Sequence, residues 1–203
     1  PNAGKSSILN RLIGEERVIV SPIAGTTRDA IDTYIEMDGK KYLFIDTAGI
    51  RRRSKVYENI EKYSVIRAYA SVEKADVVLT VIDATEGISE QDSKIAGLAH
   101  DAGKASIVVV NKWDLVDKNK VTMKSMREEL YAELPFLSYA PIEFVSALTG
   151  QRTTKILEIS DTIYEEYLKK QKNFICNLYR ETPDGKRSYV AENINFQDLS
   201  LLA

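Results

Sequence analysis

The chain has little of several residue types, and each scarcity excludes a class of protein. Its 203 residues include one cysteine, Cys176, and one histidine, His100. An intrachain disulfide is therefore excluded, and so is a structural zinc site built from these two residue types. No apolar run approaches the about 20 residues of a membrane-spanning helix, and we expect no signal peptide. The formal net charge of −2 gives no overall attraction to nucleic acid or membrane. These absences favour a cytoplasmic protein.

Helical and strand patterns alternate along most of the chain. Continuous apolar runs predict strands that are covered on both faces, at 76–84, 105–111 and 141–147. Segments of helical spacing lie between and around them, at 5–16, 58–75, 89–104, 123–134 and 153–170. This alternation predicts an α/β fold with a doubly wound, mostly parallel sheet and helices on both faces. A hairpin around Asp38-Gly39 would add one antiparallel edge strand.

The first residues, PNAGKSS, match the second half of the phosphate-binding pattern G-x-x-x-x-G-K-[ST]. Backbone N–H groups from Gly4 to Ser7 would face phosphate oxygens at a helix N-terminus. Lys5 would reach the β- and γ-phosphates, and the Ser6 hydroxyl would bind Mg²⁺. A helix start without a ligand is the alternative for so short a motif. The first glycine of the pattern and the strand before it would precede Pro1, so we expect an N-terminally truncated fragment.

A second motif, Asp46-Thr47-Ala48-Gly49, follows the second strand of the predicted hairpin. The Asp46 carboxylate can hold Mg²⁺ through water, and the Gly49 N–H can meet a γ-phosphate. Because D-x-x-G is common by chance, its position after a strand is what makes it informative.

A third motif, Asn111-Lys112-Trp113-Asp114, follows a buried strand. The Asp114 carboxylate can accept hydrogen bonds from guanine N1–H and the 2-amino group, which adenine does not offer in that geometry. Asn111 can brace neighbouring loops and contact the base, the Lys112 stem can lie along the ring, and Trp113 is predicted to pack beside the pocket. This motif disfavours an ATP-dependent protein.

A fourth motif follows the next predicted strand and consists of Ser146, Ala147 and Leu148. One of its backbone N–H groups can meet guanine O6. A polar turn is the alternative for any one of these motifs taken alone, and their order along the chain argues against it.

The order PNAGKSS, AGTTRD, DTAGI, NKWD and SAL resembles the five guanine-nucleotide elements of translation-factor-like P-loop GTPases. Longer segments around these motifs are similar to the second G domain of the Der (EngA) family, the bacterial tandem-GTPase ribosome-assembly factors. These segments include EERVIVSPIAGTTRDAID, DTAGIRRRSKV, VIDATEGISEQD and VVVNKWDLV. The resemblance runs to about residue 167 and implies a P-loop NTPase fold with a G domain over 1–172.

The resemblance does not extend to the tail, 173–203. An Asp184-Gly185 turn could make this tail a hairpin, and it could equally be disordered or foreign. A further alternative is that 173–179 occupies the place of the missing first strand. The neighbouring G domain and the KH-like domain of the family have no counterpart in this chain.

The resemblance implies hydrolysis of GTP to GDP and phosphate, linked to the large ribosomal subunit and its RNA, without DNA or membrane partners. Thr27 of switch I would join Ser6 and Asp46 on Mg²⁺. Asn2, with carbonyl groups near Ser21 and Ile23, would bind K⁺. The catalytic set implied is Lys5, Thr27, Gly49 and Asn2. Guanine-nucleotide contacts would come from Asn2, Ala3, Gly4, Lys5, Ser6, Ser7, Thr26, Thr27, Asp46, Thr47, Ala48, Gly49, Asn111, Lys112, Asp114, Ser146, Ala147 and Leu148.

One position departs from Ras-like GTPases. Ile50 stands where they carry a glutamine that orients the attacking water, so K⁺ held by Asn2 would neutralise charge instead. Arg28 is a weaker candidate for that role, and the arginine run 51–53 would contact RNA or a neighbouring domain, or form a solvated loop. The alternative function is a non-catalytic guanine-nucleotide module that presents a nucleotide-gated surface.

Overall fold

The computed structural model describes residues 3–21, 33–45, 69–173, 176–181 and 187–194. Compactness divides the chain into two units, Pro1–Asp161 and Thr162–Ala203. In the described ranges, no helix has both the length and the apolar composition needed to cross a membrane.

An antiparallel sheet of three strands lies near the start of the first unit. Its strands are β1 (Val18–Ser21), β2 (Thr33–Met37) and β3 (Lys40–Phe44), in the order β1-β2-β3. The predicted hairpin is confirmed, with positive φ at Asp38 (52°) and Gly39 (78°). The prediction of a single antiparallel edge strand was wrong, because β1 also pairs with β2. This strand is short and exposes Ile19 by 65%, so the burial pattern that identifies strands is weak.

The parallel sheet consists of β4 (Val77–Asp83), β5 (Ala105–Asn111) and β6 (Ile142–Phe144), in that order. The predicted bounds of β5 are confirmed. In this register Asp83 lies opposite Asn111, and Val110 lies opposite Phe144. The carboxyl ends of the three strands therefore meet at one edge of the sheet.

Helices connect the strands. They are α1 (Lys5–Ile13), α2 (Glu90–Asp101), α3 (Met123–Glu133) and α4 (Lys155–Asn173). Residues 69–74 are also helical, and the rest of the predicted helix 58–75 lies outside the described residues. The predicted cap at Ser89 is confirmed, since its hydroxyl accepts from the Asp92 N–H at 3.2 Å and the Asp92 carboxylate accepts from the Ser89 N–H at 3.1 Å. This exchange satisfies N–H groups that a helix start leaves open.

The core lies around the parallel sheet. Ile8, Leu9 and Leu12 of α1 are buried as predicted, and Leu12 is fully inaccessible. A cluster of buried apolar side chains lies beside β5 and β6. It includes Ile82, Val108, Val110, Trp113, Leu130, Leu134, Leu137, Ile142 and Phe144. This packing gives the loops that follow β4, β5 and β6 a rigid base.

Two side chains of β3 bind Asp161 in the N-terminal half of α4. Lys40 Nζ lies 2.7 Å from Asp161 Oδ2, and the Tyr42 hydroxyl donates to the same oxygen at 3.0 Å. Burial, followed by this hydrogen bond, raises the pKa of Tyr42 above its ordinary value. The phenol therefore stays protonated and remains a donor.

The second unit contains an antiparallel pair, β7 (Cys176–Glu181) and β8 (Arg187–Ile194). The predicted Asp184-Gly185 turn lies outside the described residues. Among the strands that the structure describes, β7 pairs with β8 alone. The interpretation in which 173–179 replaces a strand of the parallel sheet is therefore wrong.

Candidate functional site

The start of α1 has the features of an anion-binding helix N-terminus. Gly4 precedes the helix with φ 85°, the first turn carries no acidic residue, and within the part of the chain that the structure describes no side chain caps it. Lys5 and Ser7 are exposed, and Ser6 is half-buried. An uncapped N-terminus offers free N–H groups and the positive end of the helix dipole, and these bind anions.

Asn111, at the end of β5, joins two loops. Its Nδ2 donates to the Ala3 carbonyl at 2.9 Å, and its Oδ1 accepts from the Ala147 N–H at 3.0 Å. The side chain is 2% exposed. The bracing role predicted for Asn111 thus has a geometry that links the residues before α1 to those after β6.

Gly4 fits closely against Asn111. A Cβ built on Gly4 would lie 2.3 Å from Asn111 Nδ2, and the positive φ favours glycine. A residue with a Cβ could not lie this close to Asn111, so this position requires glycine.

We expect Gly4→Ala to weaken GDP binding about 10-fold or more, because strain of about 1–3 kcal/mol would displace Asn111 or the loop. The measurement is a GDP titration. Gly97→Ala in α2 is the matched control, since nothing lies within 4 Å of its Cβ, and it should leave affinity unchanged. Equal affinity of Gly4→Ala and the unsubstituted chain would contradict the close fit.

A second contact joins α1 to the loop after β6. The Arg11 guanidinium donates to the Thr149 carbonyl at 3.5 Å. It also fills the space beside Gly150, where an added Cβ would lie 2.2 Å from Arg11 Nη2. Neither Arg11 nor Gly150 was predicted as part of the site, because their contact depends on tertiary packing and not on a local motif.

Asp114 lies on a short 3-10 helix, Trp113–Leu115. Trp113 is 2% exposed, its ring centroid lies 4.6 Å from that of Phe144, and its backbone N–H donates to the Val145 carbonyl at 3.1 Å. The packing role predicted for Trp113 is confirmed. A half-buried carboxylate is thus carried on a rigid support beside the loop that begins at Ser146.

The loop after β6 was predicted to offer one backbone N–H to the base, and two of its three candidate N–H groups are bonded within the protein. Ser146 N–H donates to the Gln151 carbonyl at 3.0 Å, and Ala147 N–H donates to Asn111 Oδ1. Leu148 is 78% exposed. A base oxygen at this loop would therefore meet the Leu148 N–H, or compete with Asn111 for that of Ala147.

A buried carboxylate that the sequence analysis missed lies at the end of β4. Asp83 is 3% exposed, and its Oδ2 forms an ion pair with Lys112 Nζ. Burial opposes ionisation of Asp83, but hydrogen bonds from Lys112 and Thr85 outweigh it and lower the pKa of the carboxyl. The bond to Asp83 in turn raises the pKa of Lys112. The sequence offered one signal for Asp83, a carboxylate at the end of a buried apolar run, but it did not indicate the pairing with Lys112.

Part of the predicted site lies outside the described residues. This holds for the candidates from switch I (Ile23, Thr26 and Thr27), from switch II (Asp46, Thr47, Ala48 and Gly49) and from the phosphate loop (Asn2), as well as for Ile50, Arg28 and the run 51–53. The backbone of Ser21 is described as the end of β1. Their roles stay predictions.

Solved structures share this fold. Era in complex with MgGDPNP and a segment of 16S ribosomal RNA aligns with a TM-score of 0.57 at 29% identity, over 94% of this chain and 59% of that chain. The FeoB G-domain from Methanococcus jannaschii aligns with a TM-score of 0.52 at 20% identity, over 81% of this chain and 92% of that one. The second likeness shows the fold alone. Together they support the predicted P-loop GTPase fold.

Curated relatives are more similar in sequence. GTPase Der of Fusobacterium nucleatum is 65% identical over 87% of this chain and 40% of its own length. GTPase Der of Ruminiclostridium cellulolyticum is 62% identical over 78% of this chain and 36% of its own length. The chain thus spans about two fifths of the length of these relatives, and the resemblance to Der is confirmed. The family model described as "50S ribosome-binding GTPase" matches residues 1–112. The chain belongs to this family of ribosome-binding GTPases.

Proposed function

We propose that this chain is the GTP-binding and GTP-hydrolysing domain of a cytoplasmic ribosome biogenesis factor that acts on the large ribosomal subunit. The proposal rests on the two hydrogen bonds of the Asn111 side chain, which join Ala3, just before α1, to Ala147 in the loop after β6. In the same region α1 presents an uncapped N-terminus, and Asp114 stands on a packed support. Family membership and the Der relatives agree with this assignment.

Each part of the nucleotide has a proposed partner. The N–H groups of residues 3–7 and the Lys5 ammonium would bind the phosphates. Asp114 would accept from the guanine N1–H and 2-amino group, with the Lys112 stem against the ring. We assign the G domain to 1–172 and leave the tail, 173–203, without a functional role.

Mg²⁺ and K⁺ are the proposed cofactors. The described residue that supports Mg²⁺ is Ser6, which is half-buried and lies in the first turn of α1. Ser6, Thr27 and Asp46 would hold Mg²⁺, which when bound neutralises charge on the β- and γ-phosphate oxygens. Asn2 with the carbonyl groups of Ser21 and Ile23 would hold K⁺, which would supply positive charge where other GTPases use an arginine.

Hydrolysis would rely on residues of the two switches. The Gly49 N–H would contact the γ-phosphate, and loss of that phosphate would release the segments that contain Thr27 and Gly49. The residue after Gly49 is Ile50, which cannot orient water by a hydrogen bond. This position favours a second candidate, a non-catalytic module whose bound nucleotide gates a surface for RNA or a neighbouring domain, with the arginines at 51–53 as its contact.

Nucleotide binding is tested with a fluorescent GDP analogue in KCl and MgCl₂, followed by competition with unlabelled GDP, GTP and ATP. We expect GDP and GTP to displace the probe and ATP to fail, because adenine leaves the Asp114 carboxylate without its two donors. Displacement by ATP at similar concentrations would overturn guanine selectivity. Failure of the probe to bind would overturn nucleotide binding by this chain.

Phosphate release separates the two candidate functions. With GTP and Mg²⁺, we expect slow release that is faster in KCl than in NaCl of equal ionic strength. Binding without any release in either salt would favour the non-catalytic module. Equal rates in the two salts would support hydrolysis and remove the K⁺ assignment.

A further inference from the structure

Asp83 is a charged side chain in a place where burial makes charge costly. It ends β4, pairs in register with Asn111 on β5, and is 3% exposed. A buried carboxylate is retained in proteins when specific partners satisfy it. The identity of those partners indicates what Asp83 does.

The two carboxylate oxygens of Asp83 are held differently, because Oδ1 accepts hydrogen bonds whereas Oδ2 has its ion pair and no further hydrogen bond among the described residues. Oδ1 accepts from the Thr85 N–H at 2.9 Å and from the Thr85 hydroxyl at 2.7 Å. Oδ2 forms the ion pair with the ammonium of Lys112. The Asp83 carbonyl accepts from the Gly87 N–H at 3.0 Å, which closes the turn after β4. Thr85 thus holds the carboxylate in one orientation, with its second oxygen on Lys112.

Lys112 is constrained at both ends. Its backbone is in the left-handed region, with φ 63° and ψ 30°, a conformation uncommon for a residue with a side chain. Its ammonium is held by Asp83, while its side chain as a whole is 33% exposed. A lysine without such a partner extends its ammonium to water and keeps its stem mobile. The ion pair therefore removes most of the rotamer freedom of Lys112 before a ligand arrives.

We propose that Asp83 is a positioning residue for guanine-nucleotide binding, which fixes the methylene stem of Lys112 as the surface on which the purine packs. This inference rests on the proposed function. It differs from a stabilising role, because a buried ion pair is by itself weak evidence for stability. The ion pair should raise nucleotide affinity, because a Lys112 side chain that is already ordered loses less entropy when the base binds.

The first variant is Asp83→Asn, tested by GDP titration. Asparagine keeps the volume and an oxygen that accepts from Thr85, but it withdraws the charge that holds Lys112. We expect GDP affinity to fall about tenfold, equivalent to about 1.4 kcal/mol. Glu90→Gln is the matched control, because Glu90 pairs with Lys94 at 2.7 Å on an exposed face of α2. It should leave GDP affinity unchanged.

A double-mutant cycle separates positioning from a structural role. In a Lys112→Met background the ammonium is absent, so Asp83→Asn should then change GDP affinity by less than about twofold. The same double variant should be more resistant to urea than Lys112→Met alone, because it removes a buried unpaired carboxylate. Thr85→Val, which loosens Oδ1 without altering charge, should weaken GDP binding less than Asp83→Asn and carries the test if that variant does not fold.

Three results would overturn the inference. They are unchanged GDP affinity of folded Asp83→Asn, a tenfold loss that persists in the Lys112→Met background, and, where Asp83→Asn does not fold, unchanged affinity of Thr85→Val. Each leaves guanine-nucleotide binding itself intact. Failure of the unsubstituted chain to bind any guanine nucleotide would instead overturn the proposed function, and this inference with it.

Discussion

Asp114→Asn is expected to change the base preference of the site from guanine to xanthine. Guanine offers two donors to the carboxylate, N1–H and the 2-amino group, whereas xanthine offers N1–H and a carbonyl oxygen. An amide at this position accepts from N1–H and donates to that oxygen. Because hydrogen bonds to a charged group contribute about 1.5–3 kcal/mol each, GDP affinity should fall by about 100-fold or more.

The support of Asp114 makes this substitution a clean test. Trp113 is buried against Phe144 and its backbone N–H is bonded to Val145, so the amide should occupy the position of the carboxylate. The measurement is competition of GDP and xanthosine diphosphate against the fluorescent analogue. Asp117→Asn is the matched control, since Asp117 is exposed on the following loop and forms its ion pair with Lys120 at 3.7 Å. Tight GDP binding by Asp114→Asn would contradict base recognition by this residue.

Asn111→Ala should lower both the stability of the chain and its affinity for GDP. The substitution leaves the Ala3 carbonyl and the Ala147 N–H without the partner they have at 2.9 and 3.0 Å. Each buried group without a partner costs about 1–3 kcal/mol, so the free energy of unfolding should fall by about 2–6 kcal/mol. Because the two loops then lose their common support, GDP affinity should fall by about 100-fold or more.

Two measurements test this prediction, urea unfolding without nucleotide and GDP titration at a temperature where the variant is folded. Asn119→Ala provides the same change on an exposed loop, where only the backbone N–H of Asn119 has a described bond, to Asp117 at 3.1 Å. It should alter neither quantity. A stable Asn111→Ala that binds GDP normally would show that the bridge does not support the site.

Local sequence patterns predicted the elements that depend on local physics. The apolar run that ends at Asn111 predicted β5 with its observed bounds, and Ser89 predicted the start of α2 through its hydroxyl. The turn at Asp38-Gly39 followed from residues that tolerate positive φ. The half-exposed strand β1 was not predicted, because its four residues give too short a burial pattern.

Sequence motifs suggested site residues where one motif supplies all of the chemistry, as at Gly4 and Asp114, and these assignments stay predictions. The site was not predicted where two distant residues must meet. The ion pair of Asp83 with Lys112 needs the register of β4 against β5, and the contact of Arg11 with Gly150 needs the packing of α1 on a loop. Hydrophobic periodicity identifies strands but does not specify which polar ends become neighbours.

The bonds of Lys40 and Tyr42 to Asp161 have a mechanical consequence. The hairpin of β2 and β3 begins one residue after the segment 22–32, which contains Thr27, and ends two residues before Asp46. The hairpin thus connects the two proposed switches along the chain. Its bonds to α4 join Lys40 and Tyr42 to Asp161, which lies 121 and 119 positions further along the sequence. A shift of this hairpin must therefore either move Asp161 of α4 with it or break the bonds of Lys40 and Tyr42 to the Asp161 carboxylate.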